Sequence, residues 1–173
     1  MDNKKYTAMD IANYIVWYVN RNAENPLCEL TPLKLQKILY YIASTYFKKT
    51  GTRLFSEHIQ KWQYGPVVKE VYHEFKGFGF HHISKPKASL TICDSGTFSI
   101  SRKEYDPLEL SGDNEFTNIA NKIISTYAPW KAFDLVELTH TEEAWKDFES
   151  DIMKGIELTY SDNELLSAKS VNV

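Results

Sequence analysis

The sequence predicts a mainly α fold, a single helical domain built around a central helix at about residues 31–49. Two observations predict it: a strong helix start ahead of a long amphipathic segment, and several further segments with helical spacing. A third, one short stretch of alternating residues, predicts a small β-hairpin insertion at about 88–101. At 173 residues the chain fits one domain. We expect that domain at 1–165, with the hairpin insertion inside about 85–110 and a frayed tail at 166–173.

The central helix has a clear start and a buried face. Thr31 is suited to cap it, because its hydroxyl can accept a bond from a free amide of the first turn. Pro32 fits the first helical position, where a missing N–H costs nothing. Apolar side chains then recur three and four residues apart, at Leu35, Ile38, Leu39, Ile42, Ala43, Tyr46 and Phe47. Tyr40 and Tyr41 widen this face, so other elements are expected on both sides of the helix.

Two further predictions concern the central helix: the environment of two of its lysines and the residue at which it ends. Lys34 and Lys37 lie outside the main apolar stripe, and we expect solvated lysines whose stems pack along the helix. Gly51 is suited to end the helix, since glycine readily adopts the left-handed conformation found there.

A second segment follows at Ile59–Val68. Pro66 disfavours helical backbone at Gly65 and presets the first turn of a new helix, so we predict a helix beginning there. The apolar residues of that helix are Val67, Val68, Val71, Tyr72 and Phe75. Trp62 and Tyr64 precede it in a short extended segment, as core aromatics or as a binding platform.

Further helices are predicted on both sides of these two segments. A capping box opens each of the two terminal helices, at 7–10 and at 161–164. Between them, apolar spacing predicts a helix at 116–127, a shorter one at 132–138 and a continuous one at 142–153. The core is therefore expected to be helical.

One stretch has the period of a strand. Residues 90–92 and 98–100 alternate apolar and polar around Asp94–Ser95–Gly96, which favours a β-hairpin with a short glycine-containing turn. We expect this hairpin to stand apart from the helical core.

Composition excludes several classes of protein. A formal net charge of −3 argues against a dedicated nucleic-acid binder, which usually shows a basic excess. Cys28 and Cys93 are far apart and form no Cys-x-x-Cys motif, so no metal or redox site is indicated. The polar start at residues 1–5 has no apolar segment behind it, and no apolar run reaches the length of a membrane span. We expect a soluble, cytoplasmic protein.

No known catalytic arrangement is present in the sequence. The histidines lack the spacing of metal ligands: His58, His73, His81, His82 and His140. A pair of Cys93 and His140 has no local signature, and neither a nucleophile elbow nor a phosphate-binding loop occurs. We therefore expect no catalysis, no metal and no cofactor.

His140 has two interpretations. In the first, Thr139 caps a helix that starts there and His140 makes a fixed bond to a neighbouring backbone or acid. In the second, His140 lines a shared pocket or partner groove with Trp145, Trp62 and Tyr64. Both interpretations stay open at this point.

Three blocks of sequence resemble a known family. Leu30–Tyr41 is similar to the opening motif of the Panacea domain, the SocA-like antitoxin family that includes phage-associated GepA-like proteins. Trp62–Tyr72 resembles its Trp-x-Tyr-Gly-Pro-Val segment and the helix after it, and Leu138–Trp145 its Leu-Thr-His…Trp motif. Ala144 departs from the pattern, since many members have proline before the tryptophan.

The resemblance implies a non-enzymatic antitoxin that binds a cognate toxin encoded nearby, with a ClpXP-type protease as a second partner. It also implies that six motif residues lie together as a partner-binding site: Lys37, Tyr41, Trp62, Tyr64, His140 and Trp145. Two alternatives are an uncharacterised enzyme with a pocket near Trp62 and His140, and a phage or transcriptional regulator that binds nucleic acid. If the six residues are not the site, the hairpin or the loop at 78–82 is the next candidate surface.

Overall fold

The protein is mainly α, as predicted. The computed structural model describes residues 6–94 and 98–171, and it describes residues 91–94, 98 and 99 by their backbone. In chain order the elements are α1 (Ala8–Asn20), α2 (Pro32–Thr50), β1 (Ile59–Trp62), β2 (Gly65–Val68), α3 (Lys69–Phe75), a 3₁₀ turn (Lys76–Phe78), β3 (Ser89–Asp94), β4 (Phe98–Lys103), α4 (Leu108–Ser111), α5 (Asn114–Tyr127), α6 (Ala132–His140), α7 (Glu143–Lys146), α8 (Glu149–Met153) and α9 (Asp162–Ser167). None of the described helices combines the length and the apolar composition that a membrane span needs.

Helix α2 is the central helix, and it packs against α1, α3, α5, α6, α9 and β2. Its start is as predicted, because the hydroxyl of Thr31 accepts the amide N–H of Lys34 at 3.3 Å. Its end is also as predicted, with Gly51 at a φ of +70° and its N–H donated to the carbonyl of Phe47. The predicted apolar residues at its middle are fully buried: Leu35, Ile38, Leu39 and Ile42.

The predicted helix start at Pro66 is wrong. Gly65–Val68 forms the strand β2, which pairs antiparallel with β1 so that Trp62 lies opposite Gly65, and α3 begins only at Lys69. Two local features favour the strand: Gly65 has a φ of +91°, which lets the chain reverse after a two-residue turn, and the β-branched valines after Pro66 suit a pleated, buried backbone.

The outer edges of this small sheet are both closed. The side-chain amide of Gln36 on α2 accepts the N–H of Val68 at 2.9 Å and donates to its carbonyl at 3.2 Å, as a neighbouring strand would. On the opposite edge, β1 exchanges two backbone bonds with residues 158–160, each 2.8 Å long. The sheet is therefore tied into the domain on both sides.

The second hairpin is confirmed. Strands β3 and β4 pair antiparallel from Ser89 opposite Lys103 to Asp94 opposite Phe98, close to the predicted bounds. Ser95 and Gly96 of the predicted turn lie outside the described residues. Leu90 and Ile100 are exposed, in keeping with a hairpin that stands apart from the core.

The C-terminal part departs from two predictions. The continuous helix predicted at 142–153 is divided into α7 and α8, because the chain turns at Phe148. The fraying predicted from residue 166 does not describe the chain up to Lys169. Ala168 is buried, its carbonyl accepts the ammonium of Lys48, and the next amide is bonded to Glu142. These bonds hold the segment against the core.

Because Leu39 is fully buried in the middle of α2, Leu39→Ala should lower the free energy of unfolding by about 2–5 kcal/mol. Denaturant unfolding followed by circular dichroism measures this. Leu166→Ala is the matched control, since this leucine of α9 is exposed. Equal unfolding midpoints for the two variants would show that α2 is peripheral.

Candidate functional site

The two-residue turn between β1 and β2 carries Tyr64. Two side chains of the third motif block, Leu138–Trp145, contact this turn and its flanking strand. The indole N–H of Trp145 donates to the carbonyl of Trp62 at 2.9 Å. The ring of His140 stacks on Trp145, with ring centroids 3.5 Å apart and planes inclined by 12°. The imidazole also lies beside the backbone of Gln63 in the turn, which favours its protonated form. The position of the turn is thus set by two side chains from a distant part of the sequence.

Lys37 holds the other side of this turn. Its ammonium donates to the carbonyl of Pro66 at 3.1 Å, and the residue is fully buried. Burial lowers the pKa of Lys37 from 10.5 to about 7. Lys34 is buried as well and donates to the carbonyl of Ala128, at the end of α5, at 3.1 Å. The prediction that these two lysines are solvated is wrong, because each has a carbonyl partner on a distant segment.

Gly65 allows α6 to approach the strand closely. A Cβ atom at this position would lie 2.4 Å from the hydroxyl oxygen of Thr139 and 3.0 Å from Cε of Lys37. Thr139 is fully buried and donates its hydroxyl to the carbonyl of Val136. Since the φ of Gly65 is also positive, both sterics and backbone conformation require glycine here.

The structure decides part of the question about His140. Thr139 does not cap a helix start, because α6 runs through it and ends at His140. Burial, and then the neighbouring charge of Lys37, lower the pKa of His140, so the ring is neutral near pH 7. The position of the imidazole beside the backbone of Gln63 agrees with the first interpretation. The second interpretation placed His140 together with Trp145 and Trp62. The stacking of His140 on Trp145, whose indole N–H donates to the carbonyl of Trp62, agrees with that grouping.

A buried carboxylate links the central helix to the third motif block. Glu142 accepts the hydroxyl of Tyr40 at 2.6 Å, the hydroxyl of Tyr41 at 3.0 Å and the amide N–H of Lys169 at 3.0 Å. Burial and this charge raise the pKa of both tyrosines far above the usual range, so they remain protonated donors. Sequence reasoning missed Glu142; the available signal was a pair of buried tyrosine hydroxyls that needed an acceptor.

The structure places the six predicted partner-binding residues at different depths. Five of them surround the turn, while Tyr41 lies one helical turn beyond Lys37 in the Glu142 network. Those with almost no exposed surface are Lys37, Tyr41 and Trp145. These three side chains therefore lie beneath the surface of the domain. Trp62 and His140 are partly buried, and Tyr64 is 50% exposed.

An exposed groove adjoins the turn. It consists of two pockets of about 490 and 500 Å³, which share Leu33, Gly79, Phe80 and Phe133 in their linings. We call it the aromatic groove and define it by Leu27, Leu33, Trp62, Tyr64, Phe80, Trp130 and Phe133. Phe80 is 86% exposed, and the ring of Tyr64 contacts that of Phe133 edge to face. Contiguous exposed apolar surface is a common feature of interaction sites in proteins.

Trp62 and His140 line no common pocket among those found in the described part of the chain. Trp62 lines the first of these pockets and a smaller one of about 280 Å³ near Ile152 and Ile156, and His140 lies outside the linings of both. Across the described residues, no group of three or more His, Cys, Asp and Glu side chains is placed to hold a metal ion.

Fold and site together define a small, mainly α domain whose motif blocks meet at one anchored turn beside an aromatic groove. Comparison with protein-family models matches residues 35–146 to the family described as antitoxin SocA-like, Panacea domain. The match covers well over half of the chain, and the chain belongs to this family. Neither the curated proteins nor the solved structures contain a significant match. Membership confirms the resemblance of the motif blocks, suggests a toxin–antitoxin role and implies a toxin partner.

Gly65→Ala should lower the free energy of unfolding by at least about 2 kcal/mol, since it adds left-handed strain and a clash with Thr139. Thermal and denaturant unfolding measure this. Gly77→Ala is the matched control, because no atom lies within 4 Å of a Cβ there and its φ is not positive. A Gly65→Ala variant as stable as Gly77→Ala would contradict the close approach of α6.

Lys37 should make stability depend on pH. Its pKa is about 7 in the folded protein and 10.5 when solvated, so the unfolded chain binds more protons between these values and stability rises with pH. From pH 7 to pH 9 the wild type should gain about 2 kcal/mol relative to Lys37→Met. Denaturant unfolding of both proteins across this range gives the difference.

The control for that experiment is Lys122→Met, which removes an exposed lysine of α5. This variant should follow the pH dependence of the wild type. A constant difference between wild type and Lys37→Met would mean that Lys37 keeps its full charge in the folded protein.

Proposed function

We propose that this protein is an antitoxin that neutralises a cognate toxin, encoded nearby, by binding it directly. Membership of the SocA-like antitoxin family supports a toxin partner. The observation that carries the proposal is the aromatic groove, with Tyr64 and Phe80 exposed beside a turn that the motif blocks hold in place. Aromatic anchors surrounded by polar groups dominate the energetics of protein interfaces.

In this proposal the exposed motif residues and the buried ones have different roles. Trp62 and Tyr64 contact the toxin, whereas Lys37, His140 and Trp145 position the turn that displays them. A surface fixed before binding loses less conformational entropy when the complex forms. Tyr41 acts further back, through the Glu142 network that joins α2 to α7.

We also propose that neutralisation involves no chemical step. The support is that two charged groups near the turn, those of Lys37 and Glu142, are bonded to other groups inside the protein. The ammonium of Lys37 faces the carbonyl of Pro66, and the carboxylate of Glu142 is held by two tyrosines and an amide. A nucleic-acid partner is disfavoured by the net charge of −3.

The finer role we propose is that of a proteolytic adaptor, which acts in the cytoplasm and delivers the toxin to a ClpXP-type protease. We further propose a prophage or mobile-element context, on the resemblance of the motif blocks to GepA-like proteins. The half-life of the toxin in cells with and without this protein tests the adaptor role. A shortened half-life that depends on the protease supports it, and a stable, inactive toxin supports simple inhibition.

The binding proposal predicts that this protein restores growth of cells expressing the neighbouring toxin gene and co-purifies with its product at high salt. Tyr64→Ala should weaken the complex at least about tenfold, because an exposed aromatic anchor is lost. Isothermal titration calorimetry measures the affinity. Leu108→Ala is the control, since this leucine is exposed outside the groove.

Two results would overturn the proposal. Absence of both a complex and growth rescue would remove the antitoxin role. Binding of DNA with a steep salt dependence, in place of the toxin, would favour a regulator of transcription. A complex that Tyr64→Ala leaves at full affinity would keep the role but place the interface elsewhere.

A further inference from the structure

We infer that the segment of the toxin that fills the aromatic groove is an amphipathic α-helix with acidic residues beside its apolar face. This inference rests on the proposed function and specifies the chemistry of the partner. It is carried by three properties of the groove: its two apolar pockets, the closed edges of the adjacent sheet, and the charges along its lining.

The apolar lining indicates what the partner inserts. Phe80 and Phe133 belong to both pockets, so they stand between two apolar depressions of similar size. Leu33 of α2 is also common to both linings. Two adjacent depressions accept two large apolar side chains from one segment, which an amphipathic helix presents at positions three, four or seven residues apart.

The closed sheet edges indicate the conformation of the partner. An extended segment gains affinity by adding a strand to a free edge. Here the edge of β2 is occupied by Gln36 at Val68 and by Lys37 at Pro66, and the edge of β1 is occupied by residues 158–160. A segment in the groove thus finds no strand partner in this sheet. A helix satisfies its own backbone, so it fits without such a partner.

The charges of the lining indicate the composition of the partner. Lys76 lines the first pocket and Lys131 the second, both are exposed, and neither forms an ion pair with a described residue. Glu29 is the acidic side chain among the described linings of the two pockets. The groove is therefore basic in a protein of net charge −3, and carboxylates complement it.

The same charges disfavour a second copy of this chain as the occupant. In a two-fold symmetric dimer, each groove would face its own equivalent. Lys76 and Lys131 would then approach the same lysines of the other copy, and like charges placed together across an interface are unfavourable. A toxin segment that carries Glu or Asp has no such conflict.

Photo-crosslinking locates the occupant. Phe80 is replaced by p-benzoylphenylalanine, the full chain is irradiated with the purified product of the adjacent toxin gene, and mass spectrometry identifies the attached peptide. We expect one peptide with apolar residues at helical spacing and several Asp or Glu. The same replacement at Leu108, exposed on α4, should give no toxin adduct.

A charge exchange then tests the electrostatic part. The double variant Lys76→Glu/Lys131→Glu should bind the toxin about tenfold more weakly or worse, because two attractions become repulsions. Lysines placed at the acidic positions of the crosslinked peptide should restore most of the affinity. Lys122→Glu, a reversal on the exposed face of α5, should bind like the wild type. Unchanged melting temperatures confirm that the variants are folded.

The contrary outcomes are distinct. An adduct with a basic or non-helical peptide overturns the inference, as does an intact affinity of the double variant. Toxin adducts at Leu108 and none at Phe80 also overturn it, while the antitoxin role stands. Concentration-dependent dimerisation abolished by the double variant would assign the groove to a second copy instead. If the wild-type protein binds no toxin, the proposed function and this inference fall together.

Discussion

The structure depends on one arrangement above all: a short strand whose backbone is satisfied by side chains of the central helix. Val68 exchanges two hydrogen bonds with the amide of Gln36, and Pro66 receives the ammonium of Lys37. An unpaired buried backbone group is costly, so without these side chains β2 would be a poor candidate for the interior. This arrangement buries the ammonium of Lys37, which is unfavourable for the charged form, and the pKa of Lys37 is lowered for that reason.

The features around the turn follow from that arrangement. Once β2 lies against α2, helix α6 can pack beside it only where Gly65 lacks a side chain. His140 and Trp145, which follow at the end of α6 and in α7, then reach the turn and fix its backbone. Glu142 lies between these two residues in the sequence and closes the connection back to α2.

The sequence predicted what is local and missed what depends on distant partners. The caps and apolar face of α2, the helix at 116–127 and the second hairpin were predictable, since each is set by residues a few positions apart. The strand β2 was not, because its pairing with the side chain of Gln36 is a tertiary contact. The burial of Lys34 and Lys37 was missed for the same reason. Five of the six residues that the motif resemblance named lie around the turn, but the resemblance could not tell how deeply each of them is buried.

The residues that hold the turn in place are mostly buried, whereas most of the residues that form the surface of the aromatic groove are exposed. Lys37 and Thr139, the buried polar residues next to Gly65, belong to the motif blocks, and each donates to a backbone carbonyl inside the domain. Phe80 and Phe133, with most of their side chains exposed, lie outside the three motif blocks, as do Lys76 and Lys131. Substitutions at these outer positions alter the groove and leave the network beneath it intact. One scaffold can therefore present different grooves without any change in the network that holds the turn.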